Sequence, residues 1–399
     1  MNVEAIQQAL RDEGIEAWLF CDFHRRDHVA RTLLDLSKGE WMTRRWYYLV
    51  PAVGEPVKLL HHIERDQLAM LPGNARVYRG WTELHEQLRT MLAPYGTLAM
   101  QYSPLNQLPS VSMTDAGTVE LVRSFGHEVV SSGNLVQRCD SRWSAAALEL
   151  HLEAGRAVDQ IVQETFAKIG KSIARGEPLT EYAVQQFMAE RLARHDLVSD
   201  SPPIVAANAH SGIPHYAPEE GKSRIIRAGD FVLLDVWAKC DKPGAVYYDV
   251  TWTGFAGPHP PERIEMIFGI VRQARDAAVA AVDGAMRAGR VIRGFEVDRA
   301  ARSVIEAAGY GDYFVHRTGH SIGQSVHANG ANMDDLETHD ERPVIPETCF
   351  SIEPGIYLPD FGVRSEVDVY VEPPGRTGNS GVRITGAVQN EIVRICIEP

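Results

Sequence analysis

At roughly 150 residues per domain, a chain of 399 residues has room for two or three compact units. Hydrophobic residues make up 44% and charged residues 23%, an ordinary globular balance that excludes disordered, collagenous and fibrous classes. Forty basic against fifty-three acidic residues leave a formal net charge of −13, a sign that disfavours nucleic acid and anionic membrane surfaces as partners.

Short β-rich runs alternate with helical patterns over the first 140 residues. Ala17–Phe20, Trp46–Val50 and Leu98–Met100 read as strands, so this part is expected to form an α/β domain. The pattern breaks between Arg138 and Ser144. From Trp143 a long amphipathic stretch runs through Leu148, Ala154, Val158, Ile161 and Phe166 to Ile169, which places a boundary near residue 140 and predicts domains 1–140 and 141–399. Beyond it, helices are expected at about 180–195, 261–288 and 295–308, the last stopped by Gly309. Strands are expected at Ile204–Ala207, Phe231–Leu234, Cys349–Ile352 and Asp368–Val371, joined by loops rich in Gly, Pro and His. Such a series suggests an α+β domain.

Cys21, Cys139, Cys240, Cys349 and Cys396 are odd in number and scattered, with no CxxC pair, so neither a disulfide framework nor a structural zinc site is indicated. The chain starts without an apolar leader and no apolar run is long enough to span a membrane. A cytoplasmic, reducing location follows as the expectation.

Several acids stand where a buried strand would prefer Val or Ile. Asp235 follows Phe231-Val232-Leu233-Leu234, and Asp249 lies in Tyr247-Tyr248-Asp249-Val250-Thr251. An ionised carboxylate is costly to bury without a cation. Taken singly, either Asp reads as a salt-bridged or turn-capping acid; together they suit a hairpin whose loop holds Lys242-Pro243-Gly244. Glu353 before Pro354-Gly355, and Glu366 at the start of another apolar run, repeat the anomaly. Between them His316, His320 and His327 fall within twelve residues flanked by Gly319 and Gly323, and imidazole is both a metal ligand and a proton carrier near neutral pH. Four carboxylates would be neutralised by two divalent cations, and an oxygen-rich set with one imidazole suits Mn, Fe, Co or Zn.

In this order the residues resemble the pita-bread metallopeptidases, the family of methionine aminopeptidase, aminopeptidase P, prolidase and the metal-free creatinase. The resemblance spans nearly the whole chain. It implies an α/β N-terminal domain followed by an α+β pita-bread catalytic domain, with Asp235, Asp249, His320, Glu353 and Glu366 holding two metal ions, manganese foremost. It further implies that His215 and His327 contact the substrate or intermediate and that Glu353 takes the proton of the attacking water. His316 and Arg364, with an N-terminal domain of this size, are features of the proline-specific branch. The implied activity is hydrolysis of the Xaa-Pro bond at the N-terminus of peptides or in Xaa-Pro dipeptides, by a homodimer.

The sequence departs from the family pattern in places. The family's Asp-x-Thr-Arg-Thr reads Asp249-Val250-Thr251-Trp252-Thr253, Val367 follows the last ligand where an Asp is usual, and His327 is followed by Ala328-Asn329-Gly330 rather than Glu and Pro. The stretch between the first two Asp residues is also three residues longer than the common spacing. An indole in place of a guanidinium predicts an apolar surrounding for Trp252, packed on the helices of its own domain. Two rival readings are a lyase or C–N hydrolase acting on a small charged metabolite, and a catalytically silent binding module. Retention of all five acids and histidines of the ligand pattern weighs against the metal-free and silent versions.

Overall fold

The computed structural model describes residues 2–36, 42–375 and 380–397. The chain forms two compact units, Met1–Ser141 and Arg142–Pro399.

In the first unit, the Ala17–Asp22 strand is buried along its whole length because it lies inside a six-stranded mixed sheet with helices on both faces. Trp18 and Phe20 point to one face, toward Ile6 and Leu10 of the Val3–Glu13 helix. Ala17, Leu19 and Cys21 point to the other, toward Leu84 and Leu88 of Trp81–Leu92. The strand pairs antiparallel with Trp46–Pro51 and parallel with Thr97–Met100.

The second unit opens with Ser144, whose hydroxyl accepts from the Ala147 amide and caps the Ala145–Ala174 helix. Trp143, expected within that helix, precedes it and packs on Ile322, Cys349 and Tyr370. Helices follow at Glu181–Arg194, Glu262–Arg287 and Gly294–Ala307. Gly309, at φ +84°, lies just beyond the last and supplies the left-handed backbone that ends it.

The long strands Phe231–Cys240 and Tyr248–Phe255 pair antiparallel. Their period of two sorts side chains: Val232, Leu234, Val236, Val250 and Trp252 face the helices Ala145–Ala174 and Glu181–Arg194. Asp235, Trp237, Asp249 and Thr251 are consequently turned to the opposite face. A second sheet pairs Cys349–Ile352 with Val367–Val371. There Phe350, Ile352, Val367 and Val369 pack on the helices Glu262–Arg287 and Gly294–Ala307, which turns Ser351, Glu366 and Asp368 the other way. The acids therefore lie between two apolar layers because each strand buries its alternate residues against its own pair of helices. Among the described residues no helix is long and apolar enough to cross a membrane.

Candidate active site

A cavity of about 560 Å³ lies in the second unit and is lined by Asp235, Asp249, His320, Glu353 and Glu366 together with His215, His316, His327 and Arg364. All nine residues singled out in the sequence reach it. In the hairpin, Asp235 stands opposite Thr251 and Asp249 opposite Trp237, so the two acids share one face diagonally and do not oppose each other directly. His320 is delivered by a loop that approaches Ser351 closely; a Cβ on Gly319 would collide with the Ser351 carbonyl. Ser351 in turn accepts from the His320 amide at 3.0 Å and donates to Glu353 at 3.1 Å.

Asp249, His320 and Glu366 each offer one ligand atom within 4.8 Å of the others. His320 Nε2 lies 3.5 Å from both Asp249 Oδ2 and Glu353 Oε1. Asp235 stands apart from this group, its Oδ2 accepting from Arg364 Nη2. Arg364 also donates to Tyr357 at 3.0 Å and to Thr251 at 2.9 Å, and Thr251 donates to Glu366 at 2.8 Å. His316 Nε2 meets the Tyr357 hydroxyl at 2.7 Å. His327 stands edge-on to His320 with ring centroids 4.3 Å apart, and His215 is exposed on the loop after Ile204–Ala207.

The electrostatics show how crowded the acids are. Burial, then the charges of Asp235 and Glu353, push the Asp249 carboxyl well above the usual range. Burial, then Asp249 and Glu353, do the same to Glu366. Asp235 is raised by burial against the opposing pull of Arg364. Burial would raise Glu353 as well, but His320, His316 and Arg364 outweigh it and hold that carboxyl low. Burial lowers His320 and His316, favouring neutral imidazole. The Arg364 guanidinium, with Arg317 acting on Glu353 from the cavity wall, thus faces four carboxyl groups, three of them no more than 8% exposed. Hard oxygen donors in excess of local cations, with a neutral imidazole among them, fit divalent metal ions.

Several supporting residues escaped the sequence reading. Asp368 accepts from the Asp249 amide at 2.9 Å, and buried His151 accepts from Thr385 through Nε2 at 2.6 Å while Nδ1 donates to the Tyr247 carbonyl at 2.6 Å. Glu181, fully buried, binds the Ala207 and Arg224 amides, His210 and the Tyr216 hydroxyl, and so anchors both ends of the segment that carries His215. Tyr357, Asp200 and Trp237 carry no motif; a period-2 reading of the Asp235 strand would have put Trp237 on the acid's face.

The sequence pattern of metallopeptidase family M24 matches residues 149–373, the stretch that holds all nine residues singled out in the sequence. The chain belongs to metallopeptidase family M24. Among relatives of this M24 enzyme, the probable dipeptidase PepE of Mycobacterium tuberculosis is 26% identical over 345 residues, covering 85% of the chain and 84% of the relative. The Xaa-Pro dipeptidase of Pyrococcus furiosus is 33% identical over 245 residues, 60% of the chain and 61% of the relative. The solved structure of dipeptidase PepE from Mycobacterium ulcerans superposes with a TM-score of 0.71 at 24% identity, covering 99% of the chain and 97% of that structure. The second unit has the pita-bread fold and follows an N-terminal α/β unit along the chain.

Proposed function

We propose that this M24 enzyme is a dinuclear metal-dependent exopeptidase that hydrolyses the bond between an N-terminal residue and proline, in dipeptides or in longer peptides. The observation that carries the reading is the convergence of Asp249, His320 and Glu366 with Glu353 and Asp235 in one buried, carboxylate-rich cavity. The names of the relatives support the proline preference. Domains 1–140 and 141–399, a cytoplasmic location and a homodimer belong to the same proposal.

Asp235, Asp249, His320, Glu353 and Glu366 would hold two divalent cations, manganese foremost, which supply Lewis acidity and lower the pKa of water. Glu353, whose carboxyl is held low against the upward push of burial, would take a proton from the attacking water. Exposed His215 and His327 stand at the cavity wall, where they can hydrogen-bond the tetrahedral oxygen or pass a proton to the leaving ring nitrogen. His316 is fixed by Tyr357 and the Arg317 carbonyl, and lines the pocket for the residue after the scissile bond.

The test is an assay of metal-stripped protein, with Mn, Co or Zn added back, against a Xaa-Pro dipeptide, a Xaa-Pro-Xaa tripeptide and creatine. Metal-restored cleavage before proline supports the reading. Turnover of creatine alone, or of no substrate with metals bound, overturns it.

A further inference from the structure

One wall of the cavity is charged differently from the rest. Trp237 lies directly across the hairpin from Asp249 and lines the cavity beside it. Its indole N–H donates to Asp200 Oδ1 at 2.8 Å, and the Ser201 hydroxyl donates to the same oxygen at 3.3 Å. Asp200 is exposed and also lines the cavity. Among the described residues no Lys, Arg or His stands within 4.0 Å of its carboxylate. Lys239, two residues beyond Trp237, feels the Asp200 charge through space but spends its ammonium on the Gln324 carbonyl and the Tyr247 ring. The other acid outside the ligand set, Glu337, has Arg317 at 4.0 Å.

Two divalent cations would balance the four ligand carboxylates, and of the cavity's acids outside that set Asp200 is, among the described residues, the one with no cation within 4.0 Å. Its carboxylate is held at the edge of the Trp237 indole by the N–H, and an anion beside an aromatic side chain is a receptor for an organic cation. Proline carries no side-chain charge, so in a Xaa-Pro substrate the variable side chain belongs to the residue on the amino side of the scissile bond. Resting on the Xaa-Pro reading, we propose that Asp200 and Trp237 are specificity-determining residues that select a basic side chain, lysine or arginine, at that position.

The test compares kcat/KM for Lys-Pro, Leu-Pro and Glu-Pro on Mn-reconstituted protein. It is paired with calorimetric affinities for reduced-bond analogues of the lysine and leucine dipeptides, which need no turnover. A partly exposed ion pair with a cation–π contact should favour lysine over leucine by about fivefold, with glutamate last. D200N should bring the lysine-to-leucine ratio close to one in both measurements, and D200K should place Glu-Pro ahead of Lys-Pro. A ratio that D200N leaves unchanged overturns the proposal, and an equal loss on all substrates overturns it by showing that Asp200 reads the α-ammonium common to them. If no dipeptide is cleaved, the peptidase reading fails while the analogue affinities still decide the role of this wall.

Discussion

The Thr251 hydroxyl donates to the Glu366 carboxylate at 2.8 Å, across 115 residues of sequence. It also accepts from Arg364 Nε at 2.9 Å, so one fully buried oxygen ties the Asp249 strand to both charged residues of the Gly362–Glu366 segment. Thr251→Val keeps the shape and removes both bonds. It should cost about 1–3 kcal/mol of stability, because buried polar partners are left unsatisfied. Metal affinity should weaken roughly 10–100-fold, as it does when a partner of a ligating carboxylate is lost. Urea unfolding and a metal titration check the two effects separately; unchanged metal affinity would show that Thr251 supports the fold alone.

Glu366→Gln tests the balance of charge. In the metal-free chain the carboxyl is opposed by Asp249 and Glu353, so the isosteric amide should leave the apo protein at least as stable as the parent. The same change should lower the number of Mn ions bound per chain and abolish the stabilisation that added metal confers. Calorimetric stoichiometry with thermal unfolding in chelator and in Mn reads both outcomes, and an unaltered stoichiometry would remove Glu366 from the ligand set.

A pH effect on stability is expected from His151. Burial foremost lowers its pKa to about 4, with the Tyr247 carbonyl bond opposing. The unfolded chain, with an ordinary histidine near 6.5, binds more protons between these values. The contribution is therefore fully present above about pH 6.5 and is lost as the pH falls toward 4, by up to about 3 kcal/mol. Replacing His151 with Gln should lower stability at pH 7.5 and flatten the decline between pH 6.5 and 4.5. Equal slopes for parent and variant in urea melts would contradict this.

Trp252 packs among the residues that face the Ala145–Ala174 and Glu181–Arg194 helices, is 9% exposed and lies on the strand face away from Asp249 and Thr251. Among the described residues its indole nitrogen has no hydrogen-bond partner, so Trp252→Phe loses packing volume but no bond. A loss of about 1 kcal/mol with an unchanged ranking of Xaa-Pro substrates is expected. An altered ranking at constant melting temperature would place the indole in substrate recognition.

What sequence alone determined here follows from local periodicity. The alternation around Asp235 and Asp249 puts Val232, Leu234 and Val236 on one face and the acids on the other, and that sorting needs no knowledge of the rest of the fold. The motif order likewise pointed to nine residues, and all nine line one cavity. Tertiary structure decided what local pattern cannot carry. Hairpin register set Asp249 opposite Trp237 rather than Asp235, and side-chain reach across long separations joined Arg364 to Asp235, His316 to Tyr357 and Trp237 to Asp200. These partners share no spacing rule: each contact depends on strands and helices that bring distant parts of the chain together, where a charge or donor meets the group that satisfies it.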